Sequence, residues 1–465
     1  MNEVTNTPPI KVATMGQVDH GKSTLVGYMM YALDVAARRE LRKLAEIAEQ
    51  LRKADMKFAF LMDRNRDERE SGESHRTVHA TCRLGSRRIT FVDNPGHEAY
   101  VHNLITGVSQ VDSGLLVVDG SSPREYEIAT QAFTKEVQGK RPRIGYARVH
   151  AIVARQFGVR QVVVAISKMD RADYSERSFL AAQEAISDML TARDVGFSPE
   201  QIVFVPTAVL VEDEEAENVL EPSKRMPWAS SQTLAAALER LPCPKDPVDA
   251  PFRFAVSKVY YRVPGTEIVV TGRVLSGRIG VSDRVQVTPG AIDARVSSIE
   301  APGGRADQLD AGHLRWKRTD TASAGELAGL ALRMAESSDS LRPGCVLCNS
   351  GNPLVETSQV SARVSVLIPL RSLRGGTSRL GIRIAGFRSG CTLGRVIRKE
   401  SNLWGEKANE DSQRLDSGDI AEVEIKLDRP IAIDRDEPTS VLNRLVLLGS
   451  YGIAAAGGQI IAPRD

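Results

Sequence analysis

Gly16-Gln-Val-Asp-His-Gly-Lys-Ser23, followed by Thr24, comes directly after the apolar run 10–15 and opens a helical pattern. The stretch matches G-x-x-x-x-G-K-[ST]. Glycines at this spacing let backbone N–H groups curl around a phosphate, and the helix N-terminus adds the positive end of its dipole. The cradle would run through Asp19, His20, Gly21, Lys22, Ser23 and Thr24. Lys22 would reach the β/γ phosphates, and the Ser23 hydroxyl would ligate Mg²⁺. The strand–loop–helix context argues against an ordinary glycine turn.

Working outward, the segments 10–15, 89–93, 115–119, 162–166 and 202–205 read as buried strands, each followed by a turn and helical periodicity. That is the pattern of a βα-repeating, mostly parallel sheet. One helix is plain: Leu41, Leu44, Ile47, Ala48 and Leu51 share a face in a segment otherwise rich in Arg, Lys and Glu. Chemistry-bearing residues recur at strand ends. Asp93-Asn-Pro-Gly-His97 closes the strand 89–93, where Asp93 could hold Mg²⁺ through water and Gly96 could give its N–H to a γ-phosphate. His97 is the candidate for positioning an attacking water; the alternative is a structural histidine after a Pro-Gly turn. Ser167-Lys-Met-Asp170 follows the strand 162–166. A carboxylate at Asp170 can accept both N1–H and N2–H of guanine, a pair adenine lacks, so Asp170 points to GTP over ATP. Lys168 would lie along the base, and the amides of Thr207-Ala208 would support the guanine O6.

The three prolines in Leu241-Pro-Cys-Pro-Lys-Asp-Pro247 read as a linker. Beyond it, short alternating runs separated by Gly and Pro (267–275, 284–288, 327–333, then 360–368, 381–386, 420–427 and 444–448) have β-barrel style, with a second boundary at 344–353. The expected fold is therefore α/β: a phosphate-loop domain with a mostly parallel sheet over 1–245, then β-barrel domains over 248–350 and 354–465. Within 465 residues, 61 Lys+Arg against 59 Asp+Glu leave a net charge of +2, which excludes a nucleic-acid binder driven by bulk charge. Five scattered cysteines exclude a disulfide scaffold, and no apolar run is long enough to span a membrane or to read as a signal peptide. The expectation is a soluble, cytoplasmic protein with no membrane partner. The distribution of charge says more than the total. Residues 1–247 hold 32 basic and 34 acidic side chains, whereas 357–399 contain no acid and carry Arg363, Arg371, Arg374, Arg379, Arg383, Arg388, Arg395, Arg398 and Lys399. This is either a phosphate-tracking surface or a set of arginines paired with acids from elsewhere in the fold.

The motifs together resemble GTPases of the translation-factor superfamily, in the branch of elongation factor 1-alpha and the GTPase subunit of bacterial sulfate adenylyltransferase. The resemblance is carried by GQVDHGKST (16–24), DRNRDERESG (63–72), DNPGH (93–97), NLITGVSQ (103–110), SKMD (167–170), Met226-Pro-Trp228, VTGRV (270–274), Arg342-Pro-Gly344 and Ser417-Gly-Asp419. It implies a GTP-binding domain followed by two barrels, Mg²⁺ with GTP or GDP, and partner-triggered hydrolysis. It also implies tRNA or ribosome contact through the barrels, around Arg273 and the stretch 357–399. Two other readings stay open: a regulatory subunit of a sulfurylase catalytic chain, suggested by 170–176 and 427–434, and a nucleotide-holding module without appreciable turnover.

Several positions depart from the family. His-Thr-Ala-His of elongation factor 1-alpha is replaced by Cys391-Thr-Leu-Gly394, and the usual Asn of the guanine motif is Ser167. His75, His79 and Cys82 can be read as metal ligands or as polar residues at the start of a strand; Cys345 and Cys348 read as structural, and the acidic run 212–217 as a solvated loop. In the switch segment Glu68-Arg-Glu-Ser-Gly-Glu-Ser74, the resemblance assigns a Mg²⁺ contact to Ser74. Glu73 stands where the resemblance implies an apolar residue, one half of a hydrophobic gate around the catalytic histidine with Val18 as the other half; a carboxylate there would hold the gate open or repel an approaching phosphate. Glu73→Ile is expected to alter the rate of GTP hydrolysis, basal or partner-stimulated, in a phosphate-release assay. Unchanged rates in both would sink that reading.

Overall fold

The computed structural model describes residues 10–62, 66–71, 78–85, 87–93, 108, 111, 113–131, 145–156, 158–193, 195–229, 232–242, 248–261, 267–302, 316–334, 341–366, 373–384, 386–402, 412–416, 419–435, 440–449 and 454–464. The chain divides into two compact units, residues 1–244 and 245–465.

The first unit is built on six strands: β1 (Ile10–Met15), β2 (Val78–Leu84), β3 (Arg87–Asp93), β4 (Ser113–Asp119), β5 (Gln161–Ser167) and β6 (Ile202–Pro206). Their order is β2-β3-β1-β4-β5-β6, with all neighbours parallel except the β2–β3 hairpin. Every residue of β4 is buried, which is why it reads as one continuous apolar run. The helices are α1 (Lys22–Leu33), α2 (Val35–Gln50), α3 (Arg66–Ser71), α4 (Pro123–Thr130), α5 (Tyr146–Gln156), α6 (Glu176–Thr191) and α7 (Leu234–Glu239). Leu25, Val26 and Met29 of α1 enter a core with Phe91, Leu115 and Val117. The amphipathic face expected over 41–51 is α2: Leu44 and Ala48 pack on Phe60, and Leu51 sits just past the helix end. The acidic run 212–217 is not simply a solvated loop. It forms the turn and one arm of a hairpin, Ala208–Leu210 with Glu215–Glu217, and Glu214 bonds Lys57 (2.9 Å) and Tyr31 (2.7 Å).

The second unit holds two closed six-stranded barrels. In the first, Arg284–Thr288, Val346–Asn349, Arg253–Tyr261, Glu267–Ser276, Leu327–Met334 and Ile292–Pro302 pair in sequence and close on themselves. Gly272 sits at a bulge against the strand Arg253–Tyr261, where a Cβ would lie 2.0 Å from the Ala255 carbonyl oxygen, so no other residue fits. Residues 346–349, inside the expected boundary 344–353, are thus a barrel strand. The second barrel runs Val355–Val366, Asp419–Ile433, Phe387–Asn402, Arg379–Ile384, Arg444–Leu448 and Ala454–Pro463, closing on its first strand. Val360, Ala362 and Val364 alternate inward with Val423, Ile425 and Leu427.

A buried ion pair ties the barrels together. Arg253 Nε lies 3.1 Å from Asp434 Oδ2, and both side chains are under 9% exposed. Arg253 also donates to the carbonyls of Phe252 and Asn352 and to Asn352 Oδ1, so its charge is fully hydrogen-bonded. Removing one member strands the other charge, whereas replacing both removes the desolvation cost as well. Arg253→Met is expected to lower unfolding stability by about 3–5 kcal/mol, measured by urea denaturation, and Asp434→Leu added to it should restore much of the loss.

Candidate functional site

The functional turns named from sequence that lie within the described residues fall at the carboxyl ends of β1, β3, β5 and β6, where loops of parallel strands gather. The loop after β1 is strained in the way a phosphate cradle requires. Gly16, Asp19 and Gly21 have φ of 128°, 63° and 87°. At Gly16 a Cβ would lie 2.2 Å from the Val117 carbonyl oxygen of β4, so the loop can pass only as glycine. The Gly16 N–H donates to His150 Nδ1 of α5 (3.0 Å), and Lys22 Nζ donates to the Gln17 carbonyl (2.7 Å).

Asp93, 2% exposed at the end of β3, accepts hydrogen bonds from Ser23 Oγ at 2.8 Å and from Thr14 Oγ1. A hydroxyl beside an anchored carboxylate is a hard-oxygen donor set of the kind Mg²⁺ takes together with phosphate and water. Ser23 and Asp93 therefore fit the metal expected of them. Ser74, Gly96 and His97, with Glu73, lie outside the described residues.

The base motif is stitched to the same loop. Ser167, 6% exposed, donates its one hydroxyl proton to either of two carbonyls, His20 at 2.8 Å or Val118 at 3.1 Å. It retains the bridge to the phosphate loop and has no second donor for a base. Lys168 has φ 57° and its Nζ lies 2.7 Å from Asp119 Oδ2. Burial opposes ionisation of Asp119, but bonds from Lys168 and from the Ser121 amide (2.8 Å) outweigh it and hold the carboxyl below its usual range. Asp170, in a 3-10 turn over Met169–Ala172, is half-buried, and its carboxylate has no partner among the described residues. The expectation for Thr207 needs correction: its amide donates to the Ile166 carbonyl (2.8 Å) and is not available to a base. Of that pair only Ala208 remains a candidate.

Two buried histidines brace the loop, His20 from within it and His150 from α5. His20 Nδ1 accepts from the Asp119 amide (3.2 Å), as His150 Nδ1 accepts from Gly16, so each carries its proton on Nε2, which has no partner among the described residues. Burial, reinforced by Lys22, pushes both imidazoles down to about 3. Sequence reading missed His150, 134 residues from Gly16 and marked by nothing local. It also missed Asp119, whose signal was the same as that of Asp93, an acid ending a buried strand.

The metal reading of His75, His79 and Cys82 gains nothing. His75 and the side chain of His79 lie outside the described residues, and no cluster of three His, Cys, Asp or Glu occurs among the described residues. Cys82 is packed in the core with its thiol pushed up to about 12 by burial. Cys345 and Cys348 are buried thiols in no disulfide. In the acid-free stretch, at least four of the cations among the described residues have carboxylate partners from beyond it. Arg363 and Arg398 pair with Glu400, Arg379 with Asp428 and Arg395 with Glu424. Arg383 and Arg388 face each other across a strand pair instead. Among the described residues no helix is long and apolar enough to cross a membrane.

The strand, glycine loop and helix on this sheet define a P-loop nucleotide-binding protein. Residues 7–242 match the model of the elongation factor Tu GTP-binding domain, and 268–348 that of elongation factor Tu domain 2. Elongation factor 1-alpha of Methanocaldococcus jannaschii is 30% identical over 454 residues, 98% of this chain and 97% of that protein. The Archaeoglobus fulgidus protein is 30% identical over 452 residues, 97% of each. The chain belongs to the translation GTPase family of elongation factors Tu and 1-alpha. Among solved structures, the GTPase-like domain of S. cerevisiae Ski7 bound to GTP matches with a TM-score of 0.65 at 14% identity, over 98% of each chain. A bacterial selenocysteine-specific elongation factor matches at 0.57 and 19% identity, over 98% of this chain and 59% of that one. These likenesses concern the fold.

A consequence for pH follows from the two histidines. Unfolded, each takes up a proton as pH falls below about 6.5, whereas the folded protein resists protonation down to about 3. Their contribution is complete above pH 6.5 and is lost as pH falls toward 3, at up to about 1.4 kcal/mol per pH unit for each. Urea midpoints measured from pH 7 to 4.5 should fall steeply, and His150→Gln should flatten the slope.

Proposed function

We propose that the chain binds GTP and GDP with Mg²⁺ at the loops described above, hydrolyses GTP when a partner triggers it, and couples hydrolysis to binding and release of an RNA cargo, tRNA at the ribosome, in the cytoplasm. The observation that carries the nucleotide reading is the convergence at one sheet edge of the strained loop 16–24, the Ser23–Asp93 pair and the open carboxylate of Asp170. In this reading the backbone from Asp19 to Thr24 and the Lys22 ammonium hold the phosphates. Bound Mg²⁺ would supply positive charge against the β- and γ-phosphate oxygens; Ser23, Ser74 and, through water, Asp93 would hold it. Asp170 accepts N1–H and N2–H of guanine, Lys168 lies along the base, and Ala208 offers an amide to O6. His97 orients the attacking water and Gly96 donates to the γ-phosphate, as the family resemblance implies.

The proposed organisation is a GTP-binding domain over 1–245 with barrel domains over 248–350 and 354–465. Family membership supports the barrels as the cargo-binding part. The pairing of Arg363, Arg379, Arg395 and Arg398 narrows the cationic surface within 357–399 to fewer groups, Arg383 and Arg388 among them. Capture of the tagged chain with a non-hydrolysable GTP analogue separates the cargoes. Ribosomes or tRNA support this reading, and a sulfurylase catalytic chain overturns it.

Calorimetry with GTP and ATP tests the base. GTP is expected to bind at least about 100-fold more tightly, the worth of two hydrogen bonds to a charged group, and comparable affinities would defeat the reading. Ser167→Asn, which adds a second hydrogen-bonding group, is expected to tighten GDP by about 2- to 10-fold.

A further inference from the structure

The segment after β5 is held in a conformation that its side chains disfavour. Lys168, Asp173 and Tyr174 have φ of 57°, 50° and 55°, in the left-handed region where Cβ crowds the backbone carbonyl. An aspartate tolerates this region through local hydrogen bonds; a tyrosine has no such compensation. Asp170 lies between these residues and is tied to them. The Asp173 amide donates to the Asp170 carbonyl (3.3 Å), and the Tyr174 amide to the Met169 carbonyl (2.8 Å). The position of the Asp170 backbone therefore depends on Tyr174 keeping its left-handed turn.

Two side chains from a remote segment hold Tyr174 there. Trp228 Nε1–H donates to the Tyr174 carbonyl (3.0 Å) across 54 residues of sequence. Arg225 Nη1 donates to the Tyr174 hydroxyl (2.8 Å), with its guanidinium 5.4 Å from the ring centre. Both holders are themselves fixed. The Trp228 ring lies 5.3 Å from that of Phe179, and Arg225 Nε lies 3.3 Å from Glu217 Oε1. Ser223 Oγ donates to Glu217 Oε2 (2.5 Å) and accepts from the amides of Arg225 (3.1 Å) and Met226 (3.0 Å). None of these bonds involves the phosphate loop.

We propose that Arg225, Tyr174 and Trp228 form a latch that positions Asp170, so that preference for the guanine base depends on a bracket outside the nucleotide loops. The inference rests on the reading of Asp170 as the acceptor of guanine N1–H and N2–H. The three are positioning residues, which act on Asp170 through the Tyr174 backbone.

The test compares GDP with IDP, which lacks the 2-amino group, by equilibrium binding to the full chain. The wild type should prefer GDP by about 10-fold or more, the value of a hydrogen bond to a charged acceptor. Trp228→Phe keeps an aromatic ring against Phe179 and removes the N–H. It is expected to weaken GDP about 10-fold and IDP only about 3-fold, so the preference shrinks. Arg225→Met, at an exposed position where the fold is not at stake, should act in the same direction by about 2- to 3-fold. Tyr174→Gly adopts the left-handed turn without help, so Trp228→Phe added to it should cost GDP nothing more. Equal losses for GDP and IDP in both holder variants, or no loss in either, would overturn the latch. A wild-type preference near one would overturn the guanine reading itself, and the latch with it.

Discussion

Parallel strands cannot be joined by tight turns. The connections β3–β4, β4–β5 and β5–β6 each have to return across the sheet before the next strand can begin, whereas the antiparallel β2 starts on the edge where β1 ends. All the parallel strands therefore finish on the same edge, and the loops that leave them meet there. That constraint brings residues 16–24, Asp93, Asp119, residues 167–170 and residues 207–208 together, although they are spread over much of the first unit. Close packing then sets how near they come. Gly16 passes the Val117 carbonyl with no room for a side chain, and Ser167 reaches the carbonyl of His20. The site is a by-product of sheet geometry, tuned by a few small residues.

Around the site, neutral and charged groups have separate tasks. His20 and His150 are buried and neutral, and each accepts a backbone amide, one at Asp119 and one at the first glycine of the loop. Lys168 and Asp119 form the charged pair behind the base motif. In the barrels the buried Arg253–Asp434 pair joins the two closed sheets, while Arg363, Arg379, Arg395 and Arg398 answer acids that lie outside 357–399. Exposed pairs of that kind contribute little to stability; their effect is to decide which cations are left to meet another molecule.

Much of the fold was legible in the sequence because it depends on local pattern. The strands expected at 10–15 and 284–288 have those bounds in the structure, and those expected at 89–93, 115–119 and 162–166 differ by one or two residues. The β2 edge was less clear although Val78, Ala80, Cys82 and Leu84 alternate toward the core, because the polar residues between them leave no continuous apolar run. The stretch 344–353 holds more than a boundary: Gly and Asn flank the strand Val346–Asn349, whose pairing partners are some 60 and 90 residues earlier, and the next strand begins at Val355. The hairpin inside the acidic run was illegible for a related reason: its turn meets Tyr31 and Lys57, far away in the chain.

By itself the sequence determined the class of fold, the order of the domains and the residue types at each loop, because periodicity, glycine spacing and strand-end acids are local properties. Which hydrogen bonds those residues make was decided only by the tertiary structure. The loop motif names Gly16 but not His150 as the acceptor of its amide; the base motif names Thr207 but not the Ile166 carbonyl that takes its amide. Nothing in the spelling of residues 167–174 foretells that Trp228 and Arg225 hold Tyr174 in a left-handed turn. Such partners are chosen by the crossing of distant segments over one sheet edge. A hydrogen bond requires proximity of about 3 Å, which only the folded chain supplies.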